Sequence, residues 1–154
     1  MKSLNRNFVL TLFVAFAIGS IYGCAEKPMT FAGPGVQIWK LNLVWDDGNA
    51  VKNQTLVLKP SETEKDLFHV TATIDTEIES DMWGNARVFL EWKGEIRNGA
   101  MTCNITGNRS LIRRSGGSNL FGEAKGTFSK RRASGTFQYG GYVRYGKWTA
   151  ERIS

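Results

Sequence analysis

From Trp39 onward the chain alternates. Trp39, Leu41, Leu43 and Trp45 fall on one side of an extended backbone, with Lys40 and Asn42 on the other, the period-two pattern of a half-buried strand. The Asp-Gly step within Asp46-Asp47-Gly48-Asn49 suits positive φ and predicts a turn. A short second strand follows over 55–59, ended by Pro60-Ser61 and a polar loop. Over 67–75, Phe68, Val70, Ala72 and Ile74 alternate with His69, Thr71 and Thr73. Residues 77–85 are acidic and contain Trp83-Gly84, which predicts a loop or an irregular edge. Val88, Leu90 and Trp92 mark a strand across 86–96, Asn98-Gly99 is a strong hairpin signal, and Met101, Cys103 and Ile105 then alternate with polar residues. Segment 108–118 is basic, ends in Gly and Ser, and predicts another loop.

In the next stretch Leu120, Gly122, Ala124, Gly126 and Phe128 share one side, a mixture of small and large residues that lets a sheet bend sharply. Gly126-Thr127-Phe128 recurs nine residues later as Gly135-Thr136-Phe137, around a basic turn at Lys130-Arg131-Arg132. Gly140-Gly141 predicts a further hairpin, and 142–152 the closing strand. No segment sustains a 3.6-residue period. The expected fold is all-β, an antiparallel meander of about eight strands. Open apolar edges invite aggregation, so such strands close on themselves or stack. Short, regular connections favour a small up-and-down β-barrel, calycin-like, over a Greek-key sandwich.

The chain's start has a different character. Lys2 and Arg6 precede an apolar run of 11 residues, Phe8 to Ile18, followed by the small and neutral Gly19-Ser20-Ile21-Tyr22-Gly23. That is the layout of a secretory signal peptide. The run is too short to cross about 30 Å of hydrocarbon, which takes roughly 20 apolar residues. Ile21-Tyr22-Gly23-Cys24 resembles the lipobox of bacterial lipoproteins, with Tyr22 where a small residue is usual. The resemblance implies a signal helix in 1–23, cleavage before Cys24, and acylation of Cys24. It also implies an exported, membrane-anchored protein. Ala25 resembles the pattern that permits transfer to the outer membrane, facing the periplasm, in a host with two membranes. Residues 24–35, with two prolines and no usable period, read as a tether, and 36–154 as a single β-barrel domain.

At 42% hydrophobic and 12% aromatic, the chain is too apolar to be disordered. If Cys24 carries lipid, Cys103 stands alone and reads as a small buried apolar residue; if not, a Cys24–Cys103 disulfide is open to it. Two cysteines and the lone His69 do not make a structural zinc site. The net charge of +6 is unevenly spread: residues 25–98 hold 8 Lys/Arg against 12 Asp/Glu, and residues 99–154 hold 10 against 2. Because the halves of a sheet protein are expected to interleave, this split need not form two patches.

No residue pattern points to catalysis, a metal or a cofactor. His69 lies on the polar side of its strand with no evident partner for general-base work. Asp46-Asp47 reads as a turn rather than a calcium loop, and Glu77, Glu79 and Asp81 as a solvated rim rather than glycosidase carboxylates. The Asn-x-Ser/Thr triplets at Asn53, Asn104 and Asn108 are inert in a bacterium. Arg109, Arg113, Arg114, Lys130, Arg131 and Arg132 fall in two predicted loops that can share one barrel end, with Tyr139, Tyr142, Tyr145 and Trp148 nearby. Clustered cations and aromatics suit anionic glycans and lipid head groups. The two segments also read as ordinary hydrophilic turns; as a site they would take an anionic envelope polymer, since an exported protein seldom meets nucleic acid.

Gly146-x-Trp148-x-Ala150-x-Arg152 resembles the ending of many small exported bacterial β-proteins. The expected function is a non-enzymatic binding or structural module of the envelope. One alternative is inhibition of a secreted enzyme. Small lipoproteins that inhibit lysozyme carry Ser-Gly-x-x-Tyr and Tyr-x-x-x-x-Lys-Gly motifs. Ser134 to Tyr139 is similar but one residue longer, and Tyr142 to Lys147 is followed by Trp148 instead of Gly. The other alternative is a carrier of a small apolar ligand in an open barrel.

Overall fold

The computed structural model describes residues 35–79, 85–112, 117–140 and 144–153. The signal segment, Cys24, most of the tether, Trp83, Arg113, Arg114 and Tyr142 lie outside them. The described residues form eight strands: β1 (Gln37–Trp45), β2 (Ala50–Pro60), β3 (Leu67–Ile78), β4 (Ala86–Arg97), β5 (Ala100–Leu111), β6 (Gly117–Phe128), β7 (Arg132–Tyr139) and β8 (Arg144–Arg152). Each pairs antiparallel with the next, and β8 pairs with β1 from Trp39–Arg152 to Trp45–Gly146, closing an up-and-down barrel. The all-β meander expected from the alternation is the fold.

The inward positions are those the alternation marks, and aromatic rings run through the interior. Trp39 meets Phe128 edge-on at 4.9 Å, and Phe128 lies 5.8 Å from Trp148. Trp148 lies 6.2 Å from Trp92, which lies 6.0 Å from Phe137, and Phe137 contacts both Trp45 and Tyr139. Seven rings thus extend between the barrel ends, and aliphatic side chains from β1 to β5 fill the space around them.

The repeated Gly-Thr-Phe makes room for these rings. Gly126 and Gly135 pair directly, and Gly135 in turn pairs with Trp148. The Trp148 indole covers both glycines: a Cβ on either would press into the ring. Its Nε1–H donates to the Lys125 carbonyl at 3.1 Å.

Three boundaries differ from the sequence expectation. β2 starts at Ala50, not 55, because a bulge disturbs its alternation: Lys52 and Asn53 fall between the Gln54–Leu41 and Val51–Leu43 pairs, opposite Asn42 alone. Asn53 has φ 62°, and its N–H donates to Asn42 Oδ1 at 2.9 Å. β3 runs on through the acidic stretch to Ile78, since Asp75 and Glu77 occupy outward positions; Asp75 is held by Arg87 at 2.6 Å. β5 and β6 extend into the predicted loop 108–118, so Arg109 belongs to a strand.

The charge halves do not interleave. In an up-and-down barrel β1–β4 form one half of the wall and β5–β8 the other, so the acidic and basic stretches become opposite sides of the molecule.

Candidate functional site

Successive connections of this barrel alternate between its ends. Turn 129–131, which carries Lys130 and Arg131 and leads into Arg132, lies at the end where β1 starts and β8 finishes. Leu111 and Gly117, the strand ends that bracket Arg113 and Arg114, lie at the other, with β6 between: 12 residues, about 40 Å of extended chain. The strand ends that bracket the two basic segments therefore lie at opposite ends of the barrel, while Arg113 and Arg114 themselves lie outside the described residues. Arg132 sits 3.6 Å from Glu151, exposed at the barrel wall. Of the aromatics named with them, Tyr145 is exposed, whereas Trp148 is a core residue out of a ligand's reach.

What the fold brings together instead is Arg109, Tyr139, Trp45, Asp47 and Arg144, at the end opposite the termini. Tyr139, the last residue of β7, is 3% exposed and stacks on Phe137, with centroids 6.1 Å apart and planes 7° from parallel. Its hydroxyl accepts the Trp45 Nε1–H at 2.8 Å. Burial raises the Tyr139 pKa above its ordinary value, while the Trp45 hydrogen bond and the Arg144 and Arg109 charges oppose that rise. The phenol is therefore neutral near pH 7, and none of the described hydrogen bonds uses its proton.

The rim is fixed by the β1–β2 turn. Asp47 accepts from Arg144 and from the Asn49 N–H at 3.0 Å. Partial burial would raise the Asp47 pKa, but the Asn49 hydrogen bonds and the Arg144 cation outweigh it and hold the carboxyl below its usual range. Asn49 also bridges to the end of β3, donating to the Glu79 carbonyl at 3.0 Å and accepting its N–H at 3.2 Å.

Compared with protein-family models, curated proteins and solved structures, the chain matches none. What the mouth can do follows from its own geometry.

Arg109 decides that geometry. It occupies an inward position of β5, two residues beyond Gly107, and its charge reaches the Tyr139 hydroxyl. Its Nε and Nη2 are buried and have no hydrogen-bond partner among the described residues. Arg144 is neutralised by Asp47; among the described residues Arg109 has no carboxylate partner. A guanidinium edge with two free donors matches one face of a carboxylate or phosphate, the pairing for which Arg is geometrically suited. The Tyr139 O–H is a third donor at the same mouth. The sequence holds one clue to Arg109: carrying the Met101-Cys103-Ile105 alternation two steps further puts Gly107 and then Arg109 on the apolar side, where an arginine is out of place.

The remaining candidates have bland surroundings. His69 faces outward, its Nδ1 3.9 Å from Glu95 across the strand pair. Among the described residues no cluster of three His, Cys, Asp or Glu could hold a metal. Cys103 is buried against Gly94, and desolvation pushes its thiol up to about 12, so it is an inert core residue.

Proposed function

We propose that this protein is a non-enzymatic binding module of the bacterial envelope, exported, tethered through acylated Cys24, and holding an anionic group at the barrel mouth. The observation that carries the proposal is Arg109. Leaving buried donors unsatisfied costs about 1–3 kcal/mol, and that cost is recovered when an oxyanion fills the fork. The export and anchoring part rests on the basic start, short apolar run and lipobox-like 21–24. The carrier alternative needs an interior that the ring column occupies. The inhibitor alternative needs an exposed motif, but Gly135, Phe137 and Tyr139 of the Ser134–Tyr139 stretch face inward.

The test is an NMR titration with inorganic phosphate and with acetate, following the Trp45 indole N–H, which reports on Tyr139 and the mouth. Wild-type protein should shift saturably with at least one of them, and Arg109→Met should not. The same variant should be more stable than wild type by about 1–3 kcal/mol in urea, because it removes unsatisfied buried donors. A Trp45 signal indifferent to both anions sinks the proposal, as does an Arg109→Met variant that still responds.

A further inference from the structure

At the end opposite the mouth, the outer wall carries aliphatic side chains where polar ones are usual. Val36 is 56% exposed, Ile38 40% and Ile153 62%. They are neighbours: the Ile153 N–H donates to the Ile38 carbonyl at 2.9 Å, and Ile38 pairs on its other side with Val57, itself half-buried. Cations surround this row. Lys40 follows Ile38 on the outer face of β1, and Lys59 follows Val57 on β2. Arg152 pairs with Trp39 in the inward phase of β8, at the open end of the barrel, and its N–H donates to the Arg131 carbonyl at 3.0 Å, which brings the β6–β7 turn alongside that rim. None of these four cations forms an ion pair among the described residues; Glu151, opposite Lys40 on the outer face, is engaged by Arg132.

We propose that this face rests on an anionic lipid surface, with Val36, Ile38, Val57 and Ile153 against the head-group boundary and Lys40, Lys59, Arg131 and Arg152 over the lipid phosphates. The inference rests on the anchoring reading above, and the position of the chain start supports it. Gly35 leads into β1 from within this patch, eleven residues after Cys24, a span of at most about 40 Å when extended. A chain anchored by an acyl group at Cys24 enters the barrel at this end, which keeps that end within reach of the bilayer. One acyl chain binds membranes only reversibly, and a basic patch supplies the second attachment that makes residence stable. Docked in this way, the barrel points Arg109 and Tyr139 away from the membrane.

The test uses the chain from Ala25 to Ser154, without the acyl group; among the described residues the buried core comes from β1–β8, all of which this part contains. It is sedimented with vesicles of phosphatidylglycerol mixed with phosphatidylcholine, and with phosphatidylcholine alone. Wild type should favour the anionic vesicles, and Arg131→Gln with Arg152→Gln should weaken that binding about tenfold or more. Ile38→Asn with Ile153→Asn should weaken it comparably while leaving the circular dichroism unchanged. No preference for anionic vesicles overturns the proposal, as do variants that bind like wild type. Self-association that the isoleucine variant abolishes also overturns it, by making the patch a contact between copies. The anchor is read separately, from the mass of the mature N-terminus in membranes of cells expressing the full chain. An unacylated Cys24 there refutes the anchoring reading and leaves the vesicle result standing on its own.

Discussion

The Trp148 indole joins β6, β7 and β8 through two glycines beneath it and a hydrogen bond to Lys125. Removing so large a buried ring leaves a cavity, and Trp148→Ala should cost about 3–5 kcal/mol in urea unfolding. Gly126→Ala pushes a methyl into the same ring and should cost about 1–3 kcal/mol. The double variant should cost less than the sum, because the methyl then has space that the indole vacated. Strict additivity would show that the ring does not rest on Gly126. The repeat and the tryptophan were both legible in the sequence. Their contact was not: it depends on strand register, which places residues 22 apart in sequence against each other.

Among the elements, hairpins read most easily, because a turn is local chemistry. Asn98 and Gly99 have φ of 52° and 79°, the paired positive values of a tight two-residue turn, and β4 and β5 zip from Arg97–Ala100 to Ala86–Leu111. Gly99→Val puts a β-branched residue in that region and should cost about 1–3 kcal/mol without altering the circular dichroism. A thermal midpoint within one degree of wild type would show that the turn relaxes freely. The bulge in β2 was illegible, because one extra residue shifts the period and the first half of the strand loses its alternating signal. Arg109 was legible as a basic residue, but its inward place on a strand was obscured for a related reason. A charged, Gly/Ser-ended segment reads as a loop unless the preceding alternation is carried into it.

For the whole molecule, strand order converts sequence position directly into place on the wall. The electrostatic split visible along the chain therefore persists across the barrel, with β5–β8 the basic side. Sequence alone could not establish this, because a Greek-key arrangement of the same strands would have mixed the halves. Closure has a further consequence. Ile153 is hydrogen-bonded to Ile38, so the chain's two ends leave the barrel side by side, and the β1–β8 seam is one staggered pairing among eight. Nothing in the architecture marks this seam as the place where the polypeptide must begin. A short Gly/Ser linker from Ile153 to Gly35, with new termini cut between Asn98 and Gly99, should give a circular permutant with the native β spectrum and cooperative unfolding. A permutant that aggregates or unfolds without cooperativity would mean that the β4–β5 hairpin has to form first, before the seam can find its register.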